Sequence, residues 1–186
     1  MSSSVLEQAI QSTKAVLAGV RADQLGASTP CASWKVSDLI NHIVGGQFFF
    51  AMVASGGPIS SQRPDFAAGD FNATFEQGAT GSVAAFSADG AMERIMHLPF
   101  GDMPGAVFIN IAATDTFIHG WDLARATGQN TDLAPELASG LLSGVRTAIP
   151  DSFRGADGQA PFGPEQAAPA GASNSDQLAA FLGRIV

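Results

Sequence analysis

Residues 113–128 read Ala-Thr-Asp-Thr-Phe-Ile-His-Gly-Trp-Asp-Leu-Ala-Arg-Ala-Thr-Gly. The mixture suits a buried helix, and Gly128 stands where such a helix would stop. On the helical stripe Phe108, Ile111, Asp115, Ile118 and Asp122, two carboxylates occupy places where apolar residues belong. An acid turned inward is costly unless something offsets its charge. Asp115 and His119 lie four apart and share one face of the helix. A chain with this stretch must bury two acids and a histidine along one helix, and that conflict with local rules marks where function is to be sought.

The remaining segments supply the helices against which such a face packs. Val5, Ala9, Val16 and Val20 predict an amphipathic helix over residues 4–25. A turn at 26–33 contains Thr29-Pro30-Cys31, and a second helix is expected from 36 to 55, with Ser37 near its cap and Gly56-Gly57-Pro58 beyond its end. A third helix fits 72–87, weakened by Gly78 and Gly81. Residues 92–98 are strand-like, 99–105 are rich in Pro and Gly, and the long helix follows. A fifth helix fits 135–148, with Pro135 in its first turn. Residues 151–173 lack periodicity and read as a long surface excursion, after which 175–182 forms a short closing helix. The expectation is an all-α protein, a single domain over 1–186 built on four main helices with extra C-terminal helices.

Composition excludes several classes of partner. Nine Lys and Arg against 17 Asp and Glu give a formal net charge of −8, which repels nucleic acid and anionic membranes. The most apolar run, 39–54, is interrupted by Asn41, His42 and Gln47 and falls short of the ~20 residues that cross a bilayer. No signal peptide is indicated at the N-terminus, and Cys31 is the one cysteine, so a cytoplasmic location is expected. The expected partner is a small-molecule substrate; pairing of two copies as a homodimer stays open.

His42 shares a stripe with Leu39, Gly46, Phe49 and Val53, the core-facing side of the second helix. Gly46, one turn on, leaves space beside the imidazole. His42 is then either a metal ligand or a core histidine bonded to a backbone carbonyl. Asp115 and His119 are either its co-ligands or a helix-surface pair contributing a few tenths of a kcal/mol. Two helices presenting His, Asp and His inward match the way bundles build metal sites. Two imidazoles and one carboxylate suit Zn²⁺ or a similar divalent ion such as Ni²⁺, with one position left open. Asp122 is placed to orient a liganding imidazole, or else pairs with Arg125 or another arginine. Arg125 would hold a substrate carboxylate or be solvated. Cys31 lies close enough to the second helix to feel its dipole, but a lone cysteine is more often inert. His97 reads as structural or at the mouth of the site, and Trp34 and Trp121 as core or groove-lining residues.

Thr29-Pro30-Cys31, Trp34, Val36, Asp38-Leu-Ile-Asn-His42-Ile-Val-Gly-Gly46 and Asp115-Thr-Phe-Ile-His119-Gly-Trp-Asp122-Leu-Ala-Arg resemble the DinB-like metal-binding superfamily. Within it, the likeness is to actinobacterial single-domain relatives of the mycothiol-dependent maleylpyruvate isomerase N-terminal domain; the closing Leu178–Arg184 segment is also similar. The resemblance implies a four-helix bundle with a divalent metal on His42, Asp115 and His119. It also implies mycothiol or another small thiol as co-substrate, in a transferase or isomerase acting on a small electrophile. The isomerase has Glu where this chain has Asp115, and many relatives have a third His there. The isomerase also carries a further C-terminal domain, which 186 residues are not expected to accommodate. The alternatives are a metallohydrolase using water and a non-catalytic bundle with a structural metal or none.

Overall fold

Helical periodicity becomes six helices in the structure, a computed structural model that describes residues 3–58, 62, 64–99, 101–156 and 159–186. They are α1 (Ser4–Ala18), α2 (Val36–Ser55), α3 (Phe71–Ser87), α4 (Gly105–Thr127), α5 (Pro135–Ala148) and α6 (Asn174–Phe181). Between α3 and α4, β1 (Ile95–Met96) pairs antiparallel with β2 (Met103–Pro104). The protein is therefore all-α apart from this minimal hairpin, and only two residues of the strand-like stretch 92–98 pair.

α2 packs along α3, and α1 along α4; the contacts α2–α4 and α1–α3 close the four-helix bundle. α5 and α6 pack on each other, with α5 touching α1 and α6 touching α4. The core between them is aromatic and aliphatic, with Phe75, Phe86, Phe108, Phe117 and Trp121 among its largest fully buried side chains. A polar relay crosses it. Ser82 donates to Gln47 Oε1 (2.9 Å), Gln47 Nε2 donates to Thr116 Oγ1 (2.8 Å), and Thr13 donates to the Thr116 carbonyl (2.8 Å). Each member is satisfied, so the relay ties α1, α2, α3 and α4 in one register without a desolvation penalty left over. Gly120 makes the α1–α4 contact possible: a Cβ there would collide with the Thr13 hydroxyl.

The first helix is shorter than its periodicity predicts. It ends at Ala18, Arg21 is extended, and Ala22–Gln24 form a separate 3₁₀ turn. At the start of α2 it is Asp38, the neighbour of Ser37, that caps: its carboxylate accepts the Lys35 N–H at 2.9 Å. α2 itself runs 20 residues, long enough by composition and length to cross a membrane, so shortness does not argue against a span. Its packing does. Leu39, Ile40, Ile43, Val44 and Phe50 are buried inside the bundle. α4 ends as expected, with Gly128 in the left-handed region at φ 70°.

The described residues of the 151–173 segment are largely irregular but anchored. After a 3₁₀ turn at Asp151–Phe153, Arg154 donates to the Gly163 and Phe181 carbonyls (3.2 and 2.7 Å), and its guanidinium lies 4.4 Å over the Phe181 ring. Ser173 accepts the Asp176 N–H at 3.1 Å and starts α6, which returns the chain to α4. That return brings Arg184 to the site.

Candidate metal centre

α2 and α4 lie side by side, and each turns a histidine into the cleft they share. His42 Nε2 and His119 Nε2 are 3.3 and 3.5 Å from one oxygen, Asp115 Oδ1. The imidazoles meet edge to face with centroids 4.4 Å apart. One donor atom from each of the three residues lies within 4.8 Å of the others. Tetrahedral ligands ~2.0–2.1 Å from zinc stand roughly 3.3–3.4 Å apart, close to the two His–Asp115 separations.

Behind the trio stands a second layer. His119 Nδ1 is 3.0 Å from Asp122 Oδ2, which aims Nε2 back at Asp115 and His42. Asp122 is wholly buried, and Arg184 holds it with both arms, Nε to Oδ1 at 3.2 Å and Nη2 to Oδ2 at 2.9 Å. Cys31 also reaches this carboxylate, its thiol donating to Oδ2 at 3.3 Å. Trp34 covers the imidazoles, with its ring 4.8 Å from His42 and 5.6 Å from His119.

The charges follow from these contacts. Burial would raise the Asp115 carboxyl, but the charges of His42 and then His119 outweigh it and hold it far below the usual carboxylate range. His119 is pushed well above an ordinary imidazole: burial opposes this, and the Asp115 charge, reinforced by bonds to Asp115 and Asp122, prevails. Asp122 is lowered to about 2, chiefly because the charge of Arg184 overcomes the cost of burial. Without a metal, His119 is thus an imidazolium donating to two carboxylates.

A second trio, Cys31, His119 and Asp122, also has donor atoms within 4.8 Å. Arg184 argues against a cation there: Nη2 already contacts Asp122 and lies 3.9 Å from Cys31 Sγ. Among the described residues no guanidinium lines the cavity of about 1100 Å³ between α2, α4 and residues 62 and 64–66, whose wall includes His42 and Asp115 of the first trio.

Of the other residues singled out in sequence, Asp122 does stand behind an imidazole, and its cation is Arg184 rather than Arg125. Arg125 is exposed in the last turn of α4 and does not line the cavity. His97 pairs with Asp102 at 2.9 Å on the exposed hairpin, away from the cavity wall. Trp34 is groove-lining, whereas Trp121 is core and donates to Asp176 at 2.8 Å. The role of Arg184 is the part that sequence reasoning missed. The signal was there in principle, since an inward Asp122 needs a cation and the chain offers only nine Lys and Arg.

Residues 6–124 match the family model described as the mycothiol maleylpyruvate isomerase N-terminal domain. Two uncharacterised proteins of Mycobacterium tuberculosis, from strains CDC 1551 / Oshkosh and ATCC 25618 / H37Rv, are each 44% identical over 172 residues, covering 92% of this chain and 91% of theirs. No solved structure matches significantly.

Proposed function

This chain belongs to the mycothiol maleylpyruvate isomerase N-terminal domain family, and on that premise we propose that it binds a divalent ion through His42, Asp115 and His119 and serves as a thiol transferase or isomerase acting on a small electrophile in the cytoplasm. One observation carries the reading: three convergent donors on two helices, one donor oriented from behind and the other two on the wall of a cavity large enough for thiol and substrate. Zinc or a similar ion held there supplies Lewis acidity and lowers the pKa of a coordinated thiol, mycothiol being the thiol that the family suggests. The chain's residues do the rest. Asp115 stays ionised and offsets part of the cation's charge. Asp122, fixed by Arg184, accepts the His119 Nδ1–H and keeps Nε2 directed at the centre. Trp34 lies over the His42 ring at the cavity wall.

The charge state gives a test. His119 must surrender its Nε2 proton when a metal binds, so zinc titration at neutral pH should release about one proton per ion. The raised pKa stabilises the metal-free protein below the ordinary imidazole value of ~6.5, and that contribution is lost as pH rises through the higher folded value. Zinc affinity should therefore climb with pH across the neutral range. Calorimetry in two buffers of different ionisation enthalpy measures the release, and metal-dependent consumption of mycothiol with an electrophile panel measures the activity. Absence of zinc binding, or thiol consumption indifferent to metal, would overturn the proposal.

A further inference from the structure

The cavity beside the metal trio has an uneven wall. Along α2, two consecutive residues facing it, Gly45 and Gly46, have no side chain. A Cβ at Gly46 would sit 3.6 Å from the Phe50 ring and 3.8 Å from Asp115 Oδ2; one at Gly45 would sit 3.5 Å from Phe66. These are ordinary contact distances, so packing does not demand glycine here, and glycine in mid-helix is unfavourable. What the pair provides is a flat strip of helix backbone leading to Asp115 and His42.

Aromatic rings frame the strip. Phe48 and Phe66 stack with centroids 5.8 Å apart and planes 10° from parallel, while Phe49 meets Phe108 edge to face. Ile111 lies on the same wall, 37% exposed where a core residue of α4 would be covered. Apart from His42, the charged groups among the described lining residues are all acids: Asp38, Asp65 and Asp115. Such a site favours flat apolar groups, and in the metal-free protein these carboxylates disfavour an anion.

We propose that the Gly45–Gly46 strip seats a flat, uncharged, aromatic or conjugated substrate against α2, next to the His42–Asp115–His119 trio, and that Gly46 sets this selectivity. The inference rests on the thiol-transfer reading for what happens to the ligand, but not for its seating.

The test uses three probes on the full chain, with and without zinc: 2-acetonaphthone, 2-naphthoate with the same outline and a negative charge, and cyclohexyl methyl ketone, which is puckered. Quenching of fluorescence from Trp34, on the cavity wall, reports binding. Without zinc, the neutral flat probe should bind at least about tenfold more tightly than either of the others, and Gly46→Leu should weaken it by at least about tenfold while zinc affinity stays within ~3-fold. Ile111→Asp, on a partly exposed position that does not threaten the fold, should weaken it comparably. Equal or tighter binding of naphthoate or the puckered ketone to the zinc-free protein overturns the proposal, as does unchanged affinity in a folded Gly46→Leu or in Ile111→Asp. Zinc binding without the probe preference removes this inference alone. The preference without zinc binding removes the metal reading alone.

Discussion

Replacing Asp122 by alanine is expected to lower stability by about 3–5 kcal/mol, the usual cost of breaking a buried ion pair from one side. Asp122 is fully buried, and Arg184, only 13% exposed, makes two bonds to it that no other residue can replace. For a chain of this size that cost corresponds to a fall in Tm of roughly 6–20 °C. Arg184→Ala should be nearly as severe, since it leaves the carboxylate with only His119 and the Cys31 thiol. The double variant should cost clearly less than the sum, because the two residues act as a unit. The sign with pH is also fixed. The folded pKa of about 2 lies below the ordinary ~3.9, so the pair's contribution is complete above that ordinary value and is lost as pH falls towards 2. Thermal melts of wild type and variants between pH 2 and pH 6 should converge at the acid end. Both single variants should also weaken metal binding by about 10–100-fold by freeing the His119 ring. A loss of stability with unchanged zinc affinity would reduce the pair to a structural role.

The largest effect on metal binding is expected at the trio itself. His42→Ala and His119→Ala each remove one of three ligands and should abolish stoichiometric zinc binding, a greater loss than the ~10–100-fold for a supporting residue. Asp115→Asn is the more telling change. It keeps the size, removes the charge and leaves two imidazoles facing a cation alone. If Asp115 were merely the i,i+4 partner of His119, the loss would be a few tenths of a kcal/mol and metal content would not move. Asp115→Glu should retain part of the affinity, because it keeps the carboxylate and changes only its reach. Calorimetric titration compares the variants, and circular dichroism checks that helix content survives. Wild-type affinity in Asp115→Asn would remove Asp115 from the centre.

Much of this arrangement was legible in the chain. α2 and α4 announce themselves by periodicity; Asp115 and Asp122 stand out because they break the apolar stripe of α4, and His119 because it shares a face with Asp115. The stripe was less uniform than it looks: Phe108 and Ile118 are buried, but Ile111 faces the cavity, where it is partly exposed. Local pattern also failed at the end of α1, where Gly19 and extended Arg21 stop a helix that apolar spacing alone would continue. Arg184 was beyond local reasoning for a different cause. It is 62 residues from Asp122 and reaches it only after the anchored 151–173 segment and α6 bring the chain back. Cys31 is similar: its dipole position was readable, its contact with Asp122 was not.

X-ray absorption on the zinc-loaded protein tests the central claim most directly, because the two overlapping trios differ in one element. Coordination by His42, Asp115 and His119 predicts only nitrogen and oxygen scatterers at ~2.0–2.2 Å, with the multiple scattering of two imidazoles. A sulfur scatterer at ~2.3 Å would place the ion on Cys31 instead, contradicting the assignment and the role given to Arg184.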